Sequence, residues 1–145
     1  MVDVEELQAR LVGRELAAGT YEVAPHEAWL TADCLLAPPL PDGLLHPMHV
    51  FLASLVGTGY RIPDLWDLAE VTAEDGPMIG EMDLHQARAL RVGERLTVRS
   101  TITDVTRKQG RSGTFDALTV AVVLTDADGA TVGRVTNTHI YPRKA

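Results

Sequence analysis

Along the first third of the chain the apolar positions recur at helical spacing. Val4, Leu7 and Leu11 fall on one face at i, i+3, i+7, and Asp3 ahead of them, with Glu6 three residues on, makes a capping-box start. Gly19 and Thr20 break that helix from a short extended piece over residues 21–23. Pro25 suits the first turn of a second helix, roughly residues 25–36, whose apolar side includes Trp29, Ala32 and Leu36. Cys34 lies on that helix and is expected in the core. Residues 37–43 read Ala-Pro-Pro-Leu-Pro-Asp-Gly, and the three prolines there remove three backbone donors, so the segment is a loop. From residue 50 to 56 the chain is apolar on nearly every face, with only Ser54 polar, which predicts a buried helix. Residues 58–77 then read as irregular, with a turn of helix around 65–68.

Past Met78 the period changes from helical to two. Leu96, Val98, Ser100 and Ile102 alternate with Thr97, Arg99, Thr101 and Thr103, as in a half-buried strand. Residues 114–124 are β-branched and apolar on both faces, which suits a central strand, and residues 131–141 make a last strand. Asp126-Ala-Asp-Gly129 is a hairpin turn, and Arg91-Val-Gly-Glu94 and Lys108-Gln-Gly-Arg-Ser-Gly113 supply two more. Helices first, one of them apolar all round, then four strands in a meander: a curved antiparallel sheet wrapped around the apolar helix covers both surfaces. The expected class is therefore α+β in the hotdog arrangement, with the other helices N-terminal and one domain over residues 1–145.

Composition narrows the chemistry. A net charge of -7 gives no basic footprint for a nucleic-acid partner. One cysteine excludes both an intramolecular disulfide and a cysteine-rich zinc site, and no metal is expected. No apolar run reaches the roughly 18 residues of a membrane span, and the acidic start is unlike a secretory leader, so the expectation is a cytoplasmic protein.

Several short stretches carry a resemblance to a family. Leu11-Val-Gly-Arg-Glu15 followed by Tyr21-Glu-Val resembles the opening of MaoC-like dehydratases with the fungal fatty-acid-synthase type of N-terminal domain. Ala89-Leu-Arg-Val-Gly-Glu-Arg-Leu96 is similar to that family's turn into a long strand, Arg107-Lys-Gln-Gly-Arg-Ser-Gly113 to its basic hairpin, and Asp128-Gly129 to its final turn. The resemblance implies a hotdog hydratase or dehydratase acting on enoyl or 3-hydroxyacyl thioesters. The acyl group would ride on coenzyme A or a carrier protein's phosphopantetheine, with no further cofactor. Active members carry a motif close to D-x-N-P-x-H before the buried helix. This chain departs from it, with Ala37-Pro-Pro-Leu-Pro-Asp-Gly-Leu-Leu-His-Pro-Met-His49 in the corresponding place.

Hydration of an enoyl thioester needs a base, an acid and donors for the thioester oxygen. Asp42, His46 and His49 stand in or beside the proline-fixed loop and supply the right residue types; the histidines fit better, because the Asp42 spacing is not the family's. Against this, Asp42-Gly43 also reads as a plain turn and His49 as the start of a helix. Gly57 and Gly59 either let the thioester approach backbone amides or simply end the apolar helix, Gly57 as its C-cap. Arg107, Lys108 and Arg111 either attract coenzyme phosphates or form a solvated turn. His85 and His139 on strands are expected to be bystanders. Trp66 is either a lid over an acyl tunnel or part of a mobile surface. From His46 to Tyr60 there is no carboxylate, which tells against a hotdog thioesterase. A single sheet leaves an edge open, so a homodimer or a heterodimer with another hotdog subunit is expected. Two alternatives to the enzyme stand: a non-catalytic subunit completing a partner's acyl tunnel, and a tailoring cyclase or thioesterase of natural-product biosynthesis.

Overall fold

Asp3 opens the first helix, α1 (Val4–Leu11), by accepting the Glu5 amide at 2.8 Å, and Leu7 and Leu11 go fully into the core. Burying each of those leucines contributes about 1.5–3 kcal/mol. The computed structural model describes residues 2–143; Met1, Lys144 and Ala145, the ends of the expected 1–145 domain, lie outside the described residues.

After β1 (Gly19–Tyr21) comes α2 (Pro25–Cys34), which starts at its proline with Glu27 accepting the Ala24 amide at 2.7 Å. None of its residues is buried. The apolar side expected to face the core is open instead, with Trp29 63% and Leu36 93% exposed, and Cys34 is exposed rather than in the core. Helical periodicity marks a face that can be covered; here none of the described residues buries it.

The apolar helix is α3 (Met48–Val56), and it is buried on one side only. His49, Val50, Ala53 and Ser54 face inward, whereas Val56 is 72% exposed. The sheet curves around a single flank of α3, so an all-apolar sequence outruns the cover available. Next, α4 (Ile62–Ala69) is a full helix where only a turn of helix around residues 65–68 was expected within an irregular stretch. Asp64 accepts the Arg61 amide at 2.7 Å, and Leu65 and Ala69 bury beneath it.

Four further strands complete the antiparallel sheet: β2 (Met78–Gln86), β3 (Leu96–Gly110), β4 (Gly113–Thr125) and β5 (Thr131–Arg143), in the order β1-β3-β4-β5-β2. The expected meander holds for β3, β4 and β5 but fails for β2. That strand pairs with β5, Leu84 opposite Val135, and residues 87–95 cross the sheet's end instead of closing a hairpin. Backbone bonds tie the crossing down, from Leu45 to Leu90, Val92 to Gly43 and Gly93 to Val23. The outer edge of β2 has no partner among the described residues, and no described helix is long and apolar enough to cross a membrane.

Inside the curve, α3 crosses the row formed by Val98, Leu124 and Gly133. A Cβ on Gly133 would sit 3.0 Å from the Val50 side chain, so any larger residue there would push against the helix. At the sheet's other end Asp116 is buried and receives Arg107 at 2.6 and 2.9 Å and Arg143 at 2.7 Å. Arg143 also donates to the Ala69 and Glu70 carbonyls at 2.6 and 2.9 Å, anchoring the end of α4.

Candidate functional site

The loop ahead of α3 aims a histidine into the space between helix and sheet. His46 accepts the Met48 amide on Nδ1 at 3.1 Å, Pro47 fixes the entry, and His49 follows in the first turn. His49 is only 2% exposed, and its Nδ1 lies 2.9 Å from the Tyr21 hydroxyl on β1. Its Nε2 is buried and has no hydrogen-bond partner. Burial pushes the imidazole below its ordinary value, His46 adds to the shift, and Glu27 opposes it, so the ring is neutral near pH 7. Burial and Glu27 push the Tyr21 hydroxyl up to about 12, so it stays protonated.

Tyr21, Glu27, Leu30, His49, Leu52 and Val56 line a cleft of about 310 Å³ between β1, α2 and α3. Its carboxylates are Glu22 and Glu27. His46 opens instead on a neighbouring cleft of about 290 Å³ with Trp29, Leu40 and Leu44. The two histidines thus serve different spaces, and only His49 has an unpartnered buried nitrogen.

Most other candidates fall away from this cleft. Asp42 is exposed at a left-handed φ of 56° within the turn Pro41–Gly43, and its carbonyl is held by Arg91 at 2.9 Å. It is the plain turn, lining neither cleft. Gly57 and Gly59 have committed amides, bonded to the Ala53 and Ala17 carbonyls at 3.0 and 3.1 Å. A Cβ on either would lie 2.7 Å from those same oxygens, so close packing, not thioester binding, is what requires glycine there. Arg107 is turned to Asp116 and the Val2 carbonyl, which take three of its guanidinium N–H groups. Lys108 and Arg111 are exposed, but Phe115, opposite Lys108, is nine strand residues, about 30 Å along β4, from where α3 crosses at Leu124, and Arg111 at the hairpin tip lies farther still.

His85 is exposed on β2, as expected of a bystander, whereas His139 is buried and stacked on Tyr141 with ring centroids 6.0 Å apart. Trp66 is half-buried beside them. The residues missed from sequence are Tyr21 and Glu27. Tyr21 stood in the quoted Tyr21-Glu-Val stretch, but nothing local signalled that β1 would bring it against a histidine 28 positions on.

Comparison with known proteins now fits this geometry. The sequence matches the family described as FAS1-like, dehydratase domain region, over residues 54–135, more than half of the chain. The chain belongs to that family. No curated protein matches it. Among solved structures, this FAS1-like dehydratase-region chain is similar to the ChsH1-ChsH2 complex from Mycobacterium tuberculosis, with a TM-score of 0.73 at 13% identity over 98% of this chain and 90% of that one. It is similar to the MaoC-like dehydratase from Rhodospirillum rubrum, TM-score 0.68 at 17% identity over 100% and 99% of the two chains. The HadBC (3R-hydroxyacyl-ACP dehydratase) complex from Mycobacterium tuberculosis gives 0.66 at 14% identity over 90% and 98%. These identities establish the fold, which is the hotdog. Set on Pro47 and His49, the D-x-N-P-x-H pattern puts His46 at its asparagine and Leu44 at its aspartate.

Proposed function

We propose that this chain carries the histidine of an acyl-thioester hydratase/dehydratase site that a second hotdog subunit completes. The observation that carries the reading is His49: buried, neutral, held through Nδ1 by Tyr21, left with a buried and unpartnered Nε2, and part of the cleft lining. With Nδ1–H donating to the tyrosine oxygen, Nε2 has a free lone pair. In the elimination direction that lone pair takes the C2 proton of a 3-hydroxyacyl thioester, and the electrons form the C2–C3 double bond. The C3–O bond breaks, and the imidazolium returns the proton to the departing hydroxyl, which leaves as water. Hydration is the reverse. A positioned histidine contributes about 10²–10⁴-fold in such transfers. The acyl group is carried on coenzyme A or phosphopantetheine, and no metal or further cofactor enters the reaction.

Two absences within the chain favour a partner. Leu44 stands where the pattern has a carboxylate. The first three amides of α3 are taken, Met48 by His46 Nδ1 and those of His49 and Val50 by the His46 and Pro47 carbonyls. None of the three is spare for the thioester oxygen. The open β2 edge, with Met78, Ile79 and Leu84 exposed, offers a surface for a homodimer or heterodimer partner, and the ChsH1-ChsH2 and HadBC neighbours are complexes. The same absences favour a second reading, in which the chain only shapes the acyl tunnel and the partner does all the chemistry.

Sedimentation and an enoyl-CoA hydration assay, run alone and with a co-encoded MaoC-like protein, separate the cases. The proposal expects a dimer and an activity, alone or mixed, that His49→Ala lowers about 10²–10⁴-fold. A mixture fully active with His49→Ala leaves only the tunnel role. A 15.7 kDa monomer active by itself overturns the shared site.

A further inference from the structure

A second cavity, of about 330 Å³, is walled by Leu55, Ile62, Trp66, Met78, His139 and Tyr141. It is apolar except at its floor. His139 is 5% exposed and lines the cavity, and its imidazole makes no hydrogen bond to any described residue; the ring's one specific contact is the stack on Tyr141. The Tyr141 hydroxyl is buried and unpartnered as well. Burial lowers the His139 imidazole and raises the Tyr141 hydroxyl, so both are neutral. A neutral imidazole and a phenol together offer donors and an acceptor, and leaving buried groups of this kind without partners is costly. No cation lines the cavity, so a carboxylate entering it would lose its hydration without compensation.

The two spaces draw on the same flank of α3. Leu52 and Val56 wall the His49 cleft, Leu55 walls the second cavity, and the three stand at i, i+3 and i+4 on the open flank of α3. From His49 to Leu55 is six residues, about 9 Å of helix.

We propose that the His139–Tyr141 floor selects acyl groups bearing a neutral oxygen substituent, a hydroxyl or a ketone, well away from the thioester. This rests on the acyl-thioester reading of the His49 cleft and deepens it: His139 and Tyr141 are specificity residues for the distal part of the chain.

Trp66 in the cavity wall reports occupancy once Trp29→Phe has removed the other tryptophan. S-(10-hydroxydecanoyl)pantetheine, S-decanoylpantetheine and the 10-carboxylate analogue are titrated against that variant, assembled with its partner if it has one. The hydroxylated ligand should bind about three- to tenfold tighter than the plain one, the worth of one buried hydrogen bond, and the carboxylate weakest. Tyr141→Phe removes one oxygen and no packing, and His139→Leu removes the imidazole; each should cut the hydroxyl preference and leave plain binding within about twofold. Equal binding of hydroxylated and plain ligands, or a preference that survives both substitutions, overturns the proposal, as does binding that never perturbs Trp66. Hydratase activity without the distal preference defeats this inference and leaves the His49 reading standing. The distal preference without any His49-dependent activity does the reverse.

Discussion

The two ends of the sheet each bury an ionisable group, and they treat it in opposite ways. At the hairpin end, Asp116 is met by two guanidiniums through three hydrogen bonds. Burial alone would raise its carboxyl, but Arg107 and Arg143 outweigh that and hold it below the usual carboxylate range. At the α3 end, His49 has one nitrogen held by Tyr21 and the other bare, with Glu27 only partly offsetting burial. A closed set of partners makes Asp116 a structural clasp, tying β3, β4 and β5 to the end of α4. An open set leaves His49 with a nitrogen the fold does not use, the one assigned to proton transfer in the proposed reaction. Unsatisfied buried groups cost about 1–3 kcal/mol each. The contrast therefore separates where this chain is built to hold from where it is built to react.

Substituting the two residues tests that division. His49→Ala should lower kcat/KM for enoyl-thioester hydration by about 10²–10⁴-fold while barely moving the urea midpoint. Asp116→Ala should do the opposite. It leaves two cations without their counter-charge, one of them almost fully buried, and should cost about 3–5 kcal/mol in urea unfolding, with activity per folded molecule retained. If His49→Ala unfolds the chain, or Asp116→Ala abolishes turnover in well-folded protein, the roles are not divided as argued.

Titration sharpens the same comparison with a smaller effect. Both groups have folded values below their unfolded ones, so each favours folding at high pH and loses that contribution as pH falls. The windows differ. For His49, stability is lost as pH drops below 6.5 toward its lower folded value; His139, also lowered by burial, shares this window. For Asp116, the contribution is intact above 3.8 and is lost below it. A urea-midpoint profile should therefore fall in two steps. His49→Gln should shrink the upper step without touching the lower, and the acid limb of kcat/KM should lie below 6.5. A single step near pH 4, unchanged by His49→Gln, would show that the imidazole is not desolvated.

How legible all this was in the sequence follows from the range of each interaction. Local patterns were readable: Asp3 with Leu7 and Leu11 gave α1, the alternation from Leu96 gave β3, and Asp126-Ala-Asp-Gly129 gave the turn before β5. Patterns whose meaning depends on distant cover misled. The apolar run 50–56 and the stripe Trp29, Ala32, Leu36 look like core, yet each needs a second surface that the described residues supply only for one side of α3. The path of β2 to β5 was invisible for the same reason, since a turn signal at Arg91–Glu94 does not say which strands it joins. At the site, His49 could be named from residue type and loop position. Tyr21 could not, because 28 residues separate it from the nitrogen it holds. Arg107 was misread because a basic hairpin and half of a buried ion pair have the same local sequence; Asp116 lies nine residues on, across the β3–β4 pair.

That misreading leaves a last prediction, the smallest in size. Lys108 and Arg111 remain as exposed cations once Arg107 is assigned to the clasp. They sit beyond Asp116, at the holding end of the sheet, about 30 Å along the strand from the α3 crossing. Charges that far apart are separated by several screening lengths at physiological ionic strength, where the Debye length is about 8 Å. Lys108→Ala with Arg111→Ala should therefore leave kcat/KM on an enoyl-CoA within about twofold, and leave the urea midpoint unchanged within about 0.5 kcal/mol. The measurement also has power against the division itself. A rise in KM with kcat intact, shrinking with added salt and absent with a pantetheine thioester that lacks the nucleotide, would mean that these cations bind the coenzyme's phosphates. The hairpin end would then belong to a site, in this subunit or its partner, and holding and reacting would not be confined to opposite ends of the sheet.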